Sequence, residues 1–233
     1  MTTLQARLKA VHDRMAQACA QTGRAGSEVR LLAVSKLHPA TCVREALAAG
    51  QQAFGENYVQ EALDKMAELA DLRPSIEWHL IGPLQSNKTR AVAEAFDWVH
   101  SVDRLKIAQR LSDQRPAALP PLNVCLQVNI SGEASKSGLT PYEVPEVARA
   151  VAALPRLRLR GLMSIPEPVE DLAAQRVPHR ALRQLMQALN AQGLALDTLS
   201  MGMSDDLESA VAEGSTMVRI GTAIFGPRLR PAS

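Results

Sequence analysis

Three cysteines, Cys19, Cys42 and Cys125, are all that the chain carries. The count is odd, no C-x-x-C occurs, and no histidine-rich segment accompanies them, which excludes a disulfide framework and a zinc site. No metal is expected. Long hydrophobic runs are also lacking: nothing approaches the ~18 consecutive apolar residues of a membrane span. The opening residues, 1–9, are polar and helical in character, with neither an apolar h-region nor a cleavage-like site. Charge of one sign is equally scarce, since the formal net charge is +2 over 233 residues. That balance argues against a nucleic-acid or membrane-surface protein. The one basic cluster, Arg156-Leu157-Arg158-Leu159-Arg160, alternates with leucine and reads as a strand with a solvated or rim-facing charged side. A soluble cytoplasmic protein, without nucleic-acid or membrane partners, is the expectation.

What the chain does have is a regular alternation of two periodicities. With 46% apolar and 21% charged residues, 233 residues suffice for one domain with a full core, read here as a single unit over 1–233. Leu4, Leu8, Val11, Met15 and Cys19 fall at helical spacing and predict a helix over 4–22 that Gly23 ends. Compact β-type runs then alternate with helical stretches. Strand 29–34 precedes helix 40–49, strand 53–54 precedes helix 58–69, and strand 77–81 precedes helix 87–95. Strand 98–102 leads to helix 105–111, with Asp103 as a candidate N-cap. The run 122–130 leads to helix 141–153, and strand 157–162 to a long helix over 171–192. Strand 196–199 is followed by helix 205–213, capped by Ser204, and 216–220 is the last strand. Eight strand candidates, each but the last followed by a clear helix, imply parallel strands buried on both faces. The fold expected is α/β, a single (β/α)8 TIM-type barrel with an extra N-terminal helix; an open doubly wound sheet gives a similar string.

In such a barrel, functional groups lie where strands end. Polar and glycine residues do come after the strands here, as in Ser35-Lys36, Gly55-Glu56-Asn57 and Ser200-Met201-Gly202-Met203-Ser204. Lys36 closes a hydrophobic strand. Desolvation favours a neutral lysine amine, which can condense with an aldehyde; the alternative is a snorkelling or ion-paired lysine. The loops after strands seven and eight are a common phosphate site, and Ser200, Ser204, Gly221 and Thr222 lie in them. The same residues also suit a glycine turn and a helix cap. Arg219 stands inside an apolar strand and needs a partner: an ion pair with Glu56 or Asp205, or a ring nitrogen. A guanidinium beside a pyridine would keep that nitrogen unprotonated and weaken the ring as an electron sink. His79 and His100 read as hydrogen-bonded core or rim residues, Trp78 and Trp98 as helix–sheet contacts.

Taken in order, Ala33-Val34-Ser35-Lys36, Phe54-Gly55-Glu56-Asn57-Tyr58, Trp78-His79-Leu80-Ile81-Gly82-Pro83-Leu84-Gln85-Ser86-Asn87-Lys88, Leu199-Ser200-Met201-Gly202-Met203-Ser204-Asp205-Asp206 and Val218-Arg219-Ile220-Gly221-Thr222 closely resemble the pyridoxal phosphate homeostasis protein family. Val128-Asn129-Ile130 leading to Lys136-Ser137-Gly138, and Gly161-Leu162-Met163, extend the match over essentially the whole chain. Members have the barrel of the alanine racemase N-terminal domain. The resemblance implies pyridoxal 5′-phosphate held as a Schiff base on Lys36. It further implies a phosphate bound by Ser200, Gly221 and Thr222, with Ser204 in the same loop pair. Arg219 would face the ring nitrogen, Asn57 would line the site, and Lys136 would be a second lysine that helps transfer the cofactor. One departure stands out: a lysine frequent two positions after the Schiff-base lysine is His38 here.

Two functions from different classes are consistent with these residues. The first is a non-enzymatic carrier, a monomer that buffers pyridoxal phosphate and delivers it to apo-enzymes, with indirect effects on amino-acid pools. The second is an amino-acid racemase. Racemisation needs a base on each face of the α-carbon, and alanine racemase draws its second base, a tyrosine, from a further domain. Only Tyr58 and Tyr142 exist here, both at helix starts, so the carrier is the expected answer. A lysine-dependent aldolase would explain Lys36 but not Arg219.

Overall fold

The structure is a computed structural model that describes residues 3–132 and 137–227. Eight parallel strands close into a barrel in chain order. They are β1 (Arg30–Val34), β2 (Ala53–Glu56), β3 (Glu77–Leu80), β4 (Trp98–Val102), β5 (Leu122–Gln127), β6 (Leu157–Met163), β7 (Thr198–Ser200) and β8 (Met217–Ile220). Closure is made by β1 against β8, with Leu31 opposite Val218 and Ala33 opposite Ile220. The (β/α)8 expectation holds, and the doubly wound alternative does not.

Helices α2 (Ala40–Ala48), α3 (Val59–Glu68), α4 (Thr89–Ala95), α5 (Leu105–Gln114), α6 (Val144–Ala152), α7 (Leu172–Ala191) and α8 (Leu207–Ala212) come after the first seven strands, and the short α9 (Thr222–Phe225) comes after β8. In front stands α1 (Leu4–Gln21), whose buried residues are Leu4, Leu8, Val11, Met15, Ala18 and Cys19. This stripe contains the spacing read from the sequence. It lays α1 against α8 and α9, where Arg7 donates to the Ile224 carbonyl and Arg14 to the Ser204 carbonyl.

Local corrections concern caps and ends. Ser204 does not cap a helix: α8 begins later, behind Asp206, whose carboxylate accepts from the Met203 N–H at 2.6 Å. Asp103 pairs with Arg104 instead of capping α5. Strand five stops at Gln127, after which only the Val128–Leu139 bridge remains. Among the described residues no helix is long and apolar enough to cross a membrane, and no group of three or more metal-ligating side chains occurs.

Strand alternation sends one face to the helices and the other inward. Leu31, Ala33, Phe54 and Trp78 join the large cluster under the helices. Leu32, Ala53 and Met217 form an inner cluster with Ile81 against it, and Trp98, Cys125 and Met163 form another. Trp98 is therefore an inner residue and, unlike Trp78, not the helix–sheet contact expected; it stacks on His79 at 5.3 Å. The sequence pattern could not separate the two, because both faces of a parallel strand are apolar.

Candidate functional site

At the C-terminal ends of the strands lies a cavity of about 430 Å³, within the range of small-molecule and cofactor pockets. Six residues singled out by the sequence line it: Lys36, Asn57, Ser204, Arg219, Gly221 and Thr222. They come from the ends of β1, β2, β7 and β8, and no two neighbouring segments would suffice to assemble them. Lys136 lies outside the described residues.

Lys36 sits just after β1 in a turn whose next residue, Leu37, has φ 60°. A left-handed non-glycine residue is uncommon and persists only where its surroundings hold it. Here the hold comes from α3 and β2: the Leu37 N–H donates to Glu61 Oε1 at 2.6 Å, and Ser35 Oγ donates to Glu56 Oε1 at 2.6 Å. Lys65 Nζ joins them, donating to Glu56 Oε1 at 2.6 Å and to the Ser35 carbonyl at 2.9 Å. Burial raises the Glu56 carboxyl above the ordinary carboxylate range, against the opposing pull of Lys65. The supporting role of these residues, and Lys65 altogether, were missed from sequence. A signal existed: Lys65 stands in the buried stripe of α3 with Val59, Ala62 and Met66, where a lone cation demands a partner.

Asn57 presents a buried Oδ1 with no hydrogen-bond partner among the described residues. An unpartnered acceptor in a cavity wall is suited to a donor on a bound molecule. Its backbone is pressed by Gly82, where an added Cβ would fall 2.2 Å from the Asn57 carbonyl oxygen. His38 also lines the cavity, with its ring 5.2 Å from that of Phe225.

Arg219 is 4% exposed and has no carboxylate within ion-pair distance among the described residues, so neither Glu56 nor Asp205 is the partner anticipated. Its guanidinium donates to the Ser200 carbonyl, to Ser200 Oγ at 2.8 Å and to the Ser164 carbonyl at 2.8 Å. Burial lowers its pKa to about 10, leaving it cationic at neutral pH. Ser200 stands apart from the other residues singled out. It does not line the cavity; its hydroxyl is fully buried between Arg219 and His100. The residue ends a strand as expected, but strand parity turns it into the barrel.

A larger cleft of about 570 Å³ opens at the opposite end of the barrel, lined by Arg30, Arg73 and Arg115 among others. Those arginines have structural occupations: Arg73 pairs with Asp97, Arg30 with Glu77, and Arg115 binds the carbonyls of Ala93, Phe96 and Pro120. The N-terminal face of such a barrel serves stability. The smaller mouth cavity is the functional candidate.

Fold and site together define a barrel of the alanine racemase type with a lysine at the end of its first strand, and residues 7–229 match the family model "Alanine racemase, N-terminal domain". A pyridoxal phosphate homeostasis protein of Pseudomonas aeruginosa is 63% identical over 228 residues, covering 98% of this chain and 97% of that protein. PipY of Synechococcus elongatus PCC7942, solved with PLP bound, is 41% identical with a TM-score of 0.80, covering 91% of this chain and 100% of that one. The chain belongs to the pyridoxal phosphate homeostasis protein family. Alanine racemase from Corynebacterium glutamicum shares the fold alone, at 19% identity and a TM-score of 0.69, over 62% of its length.

Proposed function

We propose that the mouth cavity binds pyridoxal 5′-phosphate covalently through Lys36, and that the chain holds this cofactor for other proteins instead of turning over a substrate. The observation that carries the reading is one cavity lined by a strand-end lysine, a buried arginine and the Gly221-Thr222 turn. The cofactor supplies an aldehyde, which condenses with a lysine amine with loss of water. Lys36 is the amine at the end of β1 that lines the cavity, in the turn that Glu61 and Lys65 hold. Ser204 and Thr222 offer hydroxyls to the cavity, donors suited to a phosphate dianion. Gly221 has its missing Cβ only 3.1 Å from the Val34 carbonyl oxygen, so a side chain there would crowd the junction of β1 and β8. Arg219 would face the ring nitrogen as a donor, and the unpartnered Asn57 Oδ1 would accept from a ring substituent.

Relatives at 50–63% identity carry the homeostasis name and not that of a racemase, which supports a carrier. Tyr58 and Tyr142 are 54% and 93% exposed, poor placements for a second base. An arginine opposite the ring nitrogen also disfavours carbanion chemistry. In this reading the protein is a monomer of one domain over 1–233, works in the cytoplasm and passes the cofactor to apo-enzymes, with Lys136 as a second amine on the way.

Absorbance before and after borohydride, followed by peptide mapping, tests the binding. A visible band that borohydride removes, with the pyridoxyl group fixed on Lys36 and lost in Lys36→Ala, is expected. A colourless protein that takes up no added pyridoxal phosphate overturns it. Racemase assays on the loaded chain test the carrier half: turnover above the free-cofactor rate would make it an enzyme.

A further inference from the structure

A buried hydrogen-bonded chain crosses the barrel interior and ends on Arg219, and the binding role just proposed makes no use of most of it. Its members come from four strands: Glu77 and His79 from β3, His100 from β4, Ser200 from β7 and Arg219 from β8. Glu77 Oε1 lies 2.7 Å from His79 Nε2, and His79 Nδ1 lies 2.9 Å from His100 Nε2. His100 Nδ1 lies 2.8 Å from Ser200 Oγ, which in turn accepts from Arg219 at 2.8 Å. His79, His100 and Ser200 are wholly buried.

The ends of this chain dictate its protons. An ionised Glu77 can only accept, so His79 must carry its proton on Nε2. Burial disfavours the imidazolium at both histidines, and a neutral His79 then has a bare Nδ1. That nitrogen accepts from His100 Nε2–H, which leaves His100 Nδ1 bare to accept from the Ser200 hydroxyl. Ser200 Oγ, having donated its proton, is left with lone pairs aimed at Arg219. Every donor in the series finds an acceptor, and all bonds run one way, from the arginine at the mouth to the carboxylate at the other end. Arg30 completes the far end, donating to the same Glu77 oxygen at 3.0 Å.

We infer that Glu77, His79, His100 and Ser200 are positioning residues for Arg219: a one-directional relay that locks the guanidinium against the ring-nitrogen side of the cavity. This rests on the binding reading above. The relay explains why a cation buried without a carboxylate partner is tolerated and held in one place: its charge meets oriented lone pairs whose order is enforced from the opposite face of the barrel. It also gives Ser200 a task other than phosphate binding.

Nitrogen-15 histidine spectra of the ligand-free full chain at neutral pH test the relay, with His79→Gln and His100→Gln used for assignment. Both residues are expected as neutral Nε2–H tautomers. An imidazolium, or an Nδ1–H form of His100, overturns the inference. Titration of the Ser200→Ala chain with pyridoxal phosphate tests the consequence: binding is expected to weaken about tenfold, as for loss of a hydrogen bond to a charged group, with the absorbance maximum displaced and Ser200→Thr restoring both. Wild-type affinity and spectrum in Ser200→Ala would overturn the positioning role. Failure of the wild-type chain to take up pyridoxal phosphate would instead sink the binding reading, and the histidine spectra, which need no ligand, would still decide the relay.

Discussion

Lys36 owes its place to residues that carry no chemistry themselves. The left-handed Leu37 would unwind the turn without an acceptor for its N–H, and Glu61 supplies one from α3. Gly82 does the same service for Asn57 by absence: with a Cβ 2.2 Å from the Asn57 carbonyl, something in the backbone has to move. Gly82→Ala should therefore lose affinity for pyridoxal phosphate and about 1–3 kcal/mol of stability, the usual cost of overpacking. Titration and urea denaturation of one sample check both; wild-type affinity with wild-type stability would mean that the Asn57 backbone is not constrained there. These roles were illegible in the sequence, where Gly82 is one glycine among thirteen and its neighbour in space is twenty-five positions away.

At the level of elements, the packing of α3 on the barrel rests on a buried ion pair. Lys65 and Glu56 are 4% and 0% exposed and 2.6 Å apart, with Glu61 a further 3.1 Å partner. Removing one member of such a pair strands the other. Lys65→Met is expected to cost about 3–5 kcal/mol, and the double change Lys65→Met with Glu56→Leu to recover much of it. Equal urea midpoints for wild type and Lys65→Met would refute this. A second clamp joins α7 to the end of α8: Glu213, 1% exposed, receives Arg176, Arg180 and Arg183 from one face of α7. The three arginines share one helix, but their common target lies beyond β7, out of reach of any local pattern.

For the whole molecule, the barrel interior makes stability depend on pH. Burial pushes His79 and His100 below the ordinary histidine value of 6.5. The unfolded chain then binds protons that the folded chain resists, so their contribution is complete above about pH 6.5 and is lost as the pH falls below it. Burial alone would raise Glu77, but His79 and Arg30 outweigh it and hold that carboxyl at about 2, adding a loss between pH 4.5 and 2. The other charges bearing on these groups are Asp97 before β4 and Arg219 on β8. Stability measured by urea unfolding should fall from pH 6.5 to pH 5, and less steeply in His100→Asn than in wild type. Identical slopes would show that the histidine pair is not the source. The single domain proposed for 1–233 should also unfold in one transition by fluorescence and circular dichroism alike.

Local order along the chain was enough to specify the alternation of strands and helices, the end of the barrel that carries chemistry, and six of the residues that meet there. Periodicity, glycine and proline punctuation, and the residue types just past each strand are all properties of neighbours in sequence. The direction in which a strand's side chains point, and what they meet, came from the closed barrel. Trp98 turned inward against expectation, and the Ser200 hydroxyl meets His100 inside the barrel, since a one-residue change of parity reverses the face while leaving an apolar strand equally apolar. The His100–Ser200 contact is likewise set by the closed barrel, which brings β4 and β7 across one interior and lets residues a hundred positions apart share a hydrogen bond.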